Sequence, residues 1–217
     1  MNIYFYLKIF QKSISWKLIF IIVLPVFLIT ACSQERTNLF SRTYHNTTAR
    51  YNSYFIARET LKEVEKKLVA ENKDNYAEVL KIYPIPDPAM VNSISPDLDE
   101  VVKKASLPIQ RHKNSKWVDD CYLLIGKCRF YKQDFFSAID AFQYINGTSN
   151  PKPTQMSAMI NLLRTYTAMD NPKNAQTTIE FLSNDTLTST NKRDFYLAKA
   201  EYELKQKQYL DARKSLE

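Results

Sequence analysis

The stretch DCYLLIGKCRFYKQDFFSAIDAFQYI, residues 120–145, decides the fold of this chain. Its apolar and aromatic residues recur at helical spacing, which indicates two amphipathic helices joined by a short turn. Gly126 lies in the first helix, and Ala138 lies early in the second. Two antiparallel helices that interlock need a small side chain where they cross, while bulky groups fill the space to the next hairpin. The stretch therefore predicts an interlocked helical hairpin.

The same stretch resembles a tetratricopeptide repeat, a pair of antiparallel helices that stacks into arrays. Gly126 corresponds to the small residue of the first helix, and Phe135 corresponds to the aromatic residue that opens the second. Ala138 corresponds to the small residue of the second helix, and Phe142 corresponds to the large apolar residue four positions later. Such hairpins bury a continuous core only by stacking on neighbours, so further copies are expected along the chain.

The hairpin recurs every 37 residues, since Ala138, Ala175 and Ala212 each lie early in a helix that follows another helix and a short turn. In the second unit Leu163 stands where a small residue belongs. We predict an all-α fold, a tetratricopeptide-like helical-hairpin solenoid over 115–217 whose third repeat is incomplete. Because a solenoid cut within a helix leaves an apolar face open, we expect the chain to be the front part of a longer protein. The motif residues kept are Tyr166, Ala175 and Ile179 in the second unit, and Ala200, Tyr209, Ala212 and Leu216 in the third.

Residues 47–83 predict a helical hairpin ahead of the repeats. Apolar residues fall at helical spacing from about Thr48 to Glu71, which indicates one long amphipathic helix. A second helix, Tyr76 to Ile82, is expected to pack back on it.

Residues 84–114 predict a proline-rich loop that contains one short helix. The stretch YPIPDPAMVNSISP has four prolines in fourteen residues, which disfavours helix and sheet alike. Pro96 is then expected at the first position of a helix over 95–107, and Pro108 is expected to end it.

The N-terminus has the three parts of a secretory signal. Residues 1–17 carry only positive charge, and residues 18–31 carry none. This apolar run of 14 residues is shorter than the ~20 needed to span a bilayer. The sequence ITAC at 29–32 resembles the lipobox of bacterial lipoproteins, in which the cysteine sulfur is lipidated and becomes the mature N-terminus.

The lipobox predicts a signal peptide over 1–31, lipidation of Cys32 and a lipid-anchored tether over 32–46. Several acyl chains anchor a protein durably, whereas one chain is marginal. Ser33 follows the cysteine, which by the enterobacterial sorting rule indicates delivery to the outer membrane, facing the periplasm. The alternative is an uncleaved N-terminal membrane anchor, and in both cases the body of the protein lies outside the cytoplasm.

Composition argues against several classes of function. Removal of residues 1–31, which hold three lysines and no acidic residue, leaves 27 basic against 23 acidic residues, a net charge of +4. These charges are spread along the chain, which favours a solvated surface over a nucleic-acid partner. With only two glycines, Gly126 and Gly147, the chain lacks the material for a P-loop or a dinucleotide-binding turn.

No catalytic or metal-binding motif is present in the sequence. His45 and His112 belong to no HExxH motif and have no cysteines at zinc spacing, so we interpret them as surface histidines. Cys121 and Cys128 are about 10 Å apart along a helix, too far for a disulfide, and are predicted to be buried apolar residues. We therefore predict a non-enzyme without cofactor, metal or small-molecule substrate.

A protein-binding groove is the favoured alternative to an active site, since first helices line the concave face of tetratricopeptide arrays. Lys127 and Arg164 occupy equivalent positions of successive repeats, so a basic step could meet a carboxylate on a partner segment. The alternative is that these side chains form an ordinary polar surface in contact with water. The predicted groove residues are Asp120, Lys127, Phe130, Tyr131, Arg164, Asp194, Glu201 and Lys205.

Three features together resemble the start of the SprE/PorW lipoproteins of Bacteroidota. They are the lipobox, the tyrosine-rich stretch SRTYHNTTARYNSYFIARETL at 41–61 and the segment 95–145. Proteins of that family are several times longer tetratricopeptide lipoproteins of the outer membrane, required for type IX secretion and, in gliding species, for motility. The resemblance implies a periplasmic scaffold that binds other envelope proteins of the secretion machinery.

Two other functions fit a lipid-anchored helical protein. One is a BamD-like subunit of the outer-membrane protein assembly machinery, although the tyrosine-rich 44–55 segment argues against it. The other is a SusD-like glycan-binding lipoprotein, which needs aromatic platforms on long loops. The loop at 84–96 has no Trp, Tyr or Phe.

Overall fold

The structure, a computed structural model, describes residues 39–147 and 152–217, and within these ranges it has helices and no strands. The predicted signal peptide and Cys32 lie outside the described residues. A π-helical turn, Arg50–Tyr54, joins the first two helices. The helices are α1 (Leu39–Ala49), α2 (Phe55–Glu71), α3 (Pro88–Arg111), α4 (Val118–Tyr131), α5 (Phe135–Gly147), α6 (Lys152–Ala168), α7 (Pro172–Ser183), α8 (Ser189–Lys205) and α9 (Tyr209–Leu216).

The helices pair into consecutive hairpins, which are α2 with α3, α4 with α5, α6 with α7 and α8 with α9. The first helices of successive hairpins pack against each other, whereas the second helices α3, α5 and α7 make little or no contact among themselves. The first helices therefore form the inner layer of an all-α helical-hairpin solenoid, as predicted. None of the described helices is long and apolar enough to cross a membrane.

The turns inside three hairpins share one backbone geometry at the predicted period. Gln133, Asp170 and Lys207, 37 residues apart, have φ angles of 60°, 58° and 60°. At each turn the next residue donates its N–H to a carbonyl five positions back, which is the Schellman closure of a helix end. Neither glycine has a positive φ, so this chain builds its tight turns from other residues. The repeated turn is compatible with tetratricopeptide-like repeats.

The small residues of the second helices are buried at the crossings. Ala138, Ala175 and Ala212 expose 0%, 0% and 1% of their surface, which agrees with the steric argument that identified them. Cys121 and Cys128 are free thiols with 0% exposure, as predicted. Burial, followed by the charge of Asp120, raises the pKa of Cys121 to about 12, so the thiol stays protonated.

The first helix begins earlier than predicted. Residues 39–46, predicted to belong to a lipid-anchored tether, form most of α1, and residues 32–38 lie outside the described part of the chain. The cause is a tertiary contact, since Asn46 Oδ1 accepts a hydrogen bond from the Lys116 backbone N–H at 2.9 Å. His45 beside it is buried, so the helix is fastened to the loop between α3 and α4.

The predicted helix from Tyr76 to Ile82 does not form. Asn75 instead organises a turn, in which its side chain accepts from Ala77 N–H and its carbonyl accepts from Glu78 N–H, both at 3.1 Å. A seven-residue helix is marginal by itself, and here the backbone N–H of Ile82 finds a tertiary partner instead. The helix that packs on α2 is α3, so the predicted hairpin over 47–83 is wrong in its second half.

The predicted proline-rich loop is largely helix. Asp87 caps α3 by accepting from Met90 N–H at 2.7 Å, and Pro88 holds the first helical position that was predicted for Pro96. Pro96 and Pro108 lie inside the helix. Because Pro96 and Asn92 are both exposed, water can satisfy the carbonyl that the proline leaves without a donor. Leu98, Val101 and Ala105 are buried, and their burial offsets the remaining strain.

Candidate protein-binding groove

The groove is the surface formed by the first helices α4, α6 and α8 together with the C-terminal half of α2. It contains a cavity of about 380 Å³. Four predicted site residues line that cavity, namely Lys127 and Tyr131 on α4, Arg164 on α6 and Asp194 on α8. The inner layer thus brings together side chains that lie as many as 67 positions apart in sequence.

The groove is already crossed by a segment of the same chain. We call residues 72–87, which link α2 to α3, the connector. The Ile82 backbone N–H donates to Glu201 Oε2 on α8 at 2.7 Å. At the other end of the groove, Gln133 Nε2 in the α4–α5 turn donates to the Pro86 carbonyl at 2.7 Å. The connector therefore runs from α8 across to α4 in non-helical conformation, as a bound peptide would.

Tyr83 is the main side chain with which the connector enters the groove. The Arg164 guanidinium lies 4.0 Å from the centroid of its ring, within cation–π range, and 5.1 Å from the ring of Phe130. The Tyr83 hydroxyl donates to the Asp194 carbonyl at 3.5 Å. Burial raises the pKa of Tyr83, and the charge of Arg164 partly opposes that rise. Arg164 thus packs against the aromatic ring of Tyr83.

The Arg164 side chain retains an unused donor. Its Nη1 donates to Asn161 Oδ1 at 3.3 Å. Its Nε is buried and has no hydrogen-bond partner, the only such side-chain nitrogen or oxygen in the described ranges. A buried donor without an acceptor is unfavourable, and the connector supplies no acceptor for this N–H group of the groove.

A second cavity, of about 320 Å³, lies where the connector meets α6 and α8. Val79, Leu80 and Ile85 supply its connector side, while Ala168 and Leu204 belong to the helices. Glu201 and Lys205, both predicted site residues, also line it. The wall is therefore largely apolar and also contains four charged residues, which are Lys81, Arg164, Glu201 and Lys205.

Lys127, one of the two members of the predicted basic step, is neutralised within the chain. Lys127 Nζ lies 3.0 Å from Glu65 Oε1 on α2, and the Tyr131 hydroxyl donates to the same oxygen at 2.9 Å. Burial is the main cause that raises the pKa of Tyr131. The carboxylate that the sequence assigned to a partner is thus supplied by α2.

Three predicted groove residues have structural roles instead. Phe130 is 7% exposed and belongs to the core. Lys205 Nζ donates to the carbonyls of Thr167 and Ala168 at 2.6 and 3.3 Å, so it caps the end of α6. Asp120 accepts from Thr154 Oγ1 at 3.5 Å, between α4 and α6. Burial, followed by the charge of Asp119, raises the pKa of Asp120 to about 6.

Sequence reasoning missed Glu65 and Tyr83. Nothing local distinguishes Glu65 from other acidic residues of α2. Tyr83 had a usable signal, since an aromatic residue followed by Pro84 and Pro86 is typical of an extended segment that can dock into a groove.

The histidines were interpreted as surface residues, and for His45 this is wrong. His45 is 6% exposed, and its Nδ1 lies 2.7 Å from Nδ1 of His112, so one ring donates to the other. Burial, followed by the proximity of His45 and Arg111, lowers the pKa of His112. In residues 39–147 and 152–217, no three side chains of metal-ligating type converge.

No protein-family model matches the chain, and no curated protein matches it significantly.

Proposed function

We propose that this protein is a non-catalytic scaffold whose groove binds extended segments of other proteins. The observation that carries the proposal is the connector itself. A polypeptide already lies across the first helices, with its backbone held by Glu201 and Gln133 and its aromatic side chain held by Arg164. A surface with these contacts has the means to hold a peptide of another chain in the same way.

The contacts combine two kinds of recognition. Glu201 accepts from a backbone N–H, which every residue except proline offers, and so provides affinity with little dependence on sequence. Arg164 and the apolar wall of the second cavity favour aromatic and aliphatic side chains, and so provide selectivity.

The place of action proposed is the outer membrane, with the body of the protein in the periplasm. The lipobox at 29–32 supports a lipid anchor on Cys32. The resemblance of 41–61 and 95–145 to SprE/PorW lipoproteins supports envelope proteins of the type IX secretion and gliding machinery as partners.

Photo-crosslinking in the native envelope tests this function. A photoreactive phenylalanine replaces Val69, which lines the first cavity and is 66% exposed, or Thr177 on the exposed face of α7 as the matched control. Irradiation of whole cells should give adducts with envelope proteins from position 69 and none from position 177. Equal adducts at both positions, or none at position 69, would count against a groove that binds proteins.

A further inference from the structure

We propose that the connector is a competing occupant of the groove, and that the true ligand is an extended segment with the same chemistry. That chemistry is aliphatic residues on both sides of an aromatic residue that is followed by proline. The inference rests on the proposed function and adds to it the class of ligand and a means of regulation. Binding of the partner would require the connector to leave.

The connector is far longer than the join requires. The two helices of each of the three later hairpins are joined by three residues, 132–134, 169–171 or 206–208, whereas the connector between α2 and α3 has the 16 residues 72–87. Loops of more than about 12 residues without secondary structure are uncommon in compact domains and are usually functional. The extra length is what allows the chain to reach α8 from the end of α2.

Apart from Tyr83, which packs against the core, and the buried Pro86, the side chains of the connector are held loosely for a segment inside a groove. Val79, Leu80 and Ile85 remain 57%, 43% and 39% exposed, although each lines the second cavity. Tyr76 is 84% exposed. Segments with few buried apolar contacts open locally at low free energy, while the helices around them stay folded. The connector can therefore leave the groove without unfolding the solenoid.

The groove offers a partner something that the connector does not use. Arg164 Nε has no acceptor in the described part of the chain, although its ring partner Tyr83 is in place. A ligand with an acceptor beside its aromatic residue, such as an acidic side chain or a free carbonyl, would satisfy this donor. Such a ligand has a differential interaction with the groove, as displacement of an internal segment requires.

Competition lowers the apparent affinity of any partner by the fraction of molecules in which the groove is open. The connector thus sets a minimum affinity for binding. Peptides with a low affinity for the groove do not displace it, whereas a well-matched segment does. The same segment also joins the two helices of the first hairpin, α2 and α3.

A labelled peptide of residues 76–87, supplied separately, is the probe. Its binding to two proteins is measured by fluorescence anisotropy. One is the full chain, and the other is a variant in which residues 76–86 are replaced by the same number of glycine and serine residues. We expect the variant to bind at least about tenfold more tightly, since its groove is open in every molecule. The peptide carrying Tyr83→Ala is the matched control and should bind the variant about tenfold more weakly than the natural peptide.

The possible results separate the parts of the idea. If the folded variant does not bind the peptide, the assigned ligand chemistry is wrong. If both proteins bind it equally, the connector does not compete. Should the variant lose its helical circular dichroism, Tyr83→Ala in the full chain serves instead, and an unchanged peptide affinity would overturn the proposal. Adducts from position 69 test the proposed function independently, because they do not require this peptide chemistry.

Discussion

The ring of Phe142 fills the space beside Gly126 that a side chain would occupy. A Cβ built on Gly126 would stand 2.4 Å from the nearest ring atom, far inside van der Waals contact. The contact joins α4 to α5 at the crossing of the first complete repeat. It explains why this hairpin needs a residue without a side chain at position 126.

Gly126→Ala should lower the free energy of unfolding. Overpacking a buried site costs about 1–3 kcal/mol, and the better helix propensity of alanine returns about 1 kcal/mol. The expected net loss is up to about 2 kcal/mol, measured by urea denaturation. The matched control is Gly147→Ala, where an added Cβ meets nothing within 4 Å. Equal effects of the two substitutions would show that the Phe142 contact does not limit the site.

Asp170→Gly should stabilise the fold by about 1 kcal/mol. Asp170 has a φ of 58°, a conformation that glycine adopts without the steric cost of a Cβ. The substitution also removes a contact of 3.7 Å with Lys205, but both side chains are exposed and such pairs contribute little. Asp170→Ala keeps the Cβ and serves as control. A gain with alanine equal to that with glycine would contradict the strain argument.

Asp120→Asn should stabilise the protein at neutral pH and not in acid. Since its pKa is raised from 3.8 to about 6, the folded state holds the proton more tightly than the unfolded chain. Stability is therefore lost as the pH rises through this window, and the neutral amide avoids that loss. We expect a gain of about 1–2 kcal/mol at about pH 7.5 and almost none at about pH 3.5.

The control for this prediction is Asp140→Asn on the exposed face of α5. It should leave the free energy of unfolding unchanged at both pH values. A constant gain from Asp120→Asn across the range would mean that its cause is not the charge of the carboxylate.

Acidification should loosen α1 from the loop after α3. Because the pKa of His112 is lowered, the folded state binds its proton more weakly than the unfolded chain. The stabilisation by neutral His112 is complete above about pH 6.5 and is lost as the pH falls below that value. The fluorescence of Trp117, which stacks on Tyr54 at 4.9 Å, reports this region when Trp16, the other tryptophan of the sequence, is replaced by phenylalanine. The pH-dependent change should disappear in His112→Gln, which cannot take up a proton.

Prediction of the fold succeeded at positions where a single steric requirement decides the residue type. Gly126 and the three alanines at 37-residue spacing identified the crossings of the hairpins, and these alanines are buried in the structure. It was wrong at Pro88 and Pro96. A proline inside a helix leaves the carbonyl four residues earlier without its hydrogen-bond donor, and the sequence does not reveal whether that carbonyl faces water. It was also wrong at 39–46, where a contact with Lys116 from a distant loop orders a polar segment.

Prediction of the site was correct in part. Lys127, Tyr131, Arg164 and Asp194 do line one cavity, because equivalent positions of stacked hairpins share a face. The groups that contact these four side chains could not be predicted. Whether Lys127 meets a partner or Glu65 depends on how α2 is placed against α4, and helical periodicity carries no information about that placement.

The sequence by itself determined the period, the crossings and the inner face, since a small residue every 37 positions permits close helix packing in only one register. The tertiary structure alone decided what lies on that face. A segment of 16 residues with four weak helix formers in its prolines and asparagines has little tendency to form a helix of its own. Its path across the groove is set by Arg164, Glu201 and Gln133, each far away in the chain.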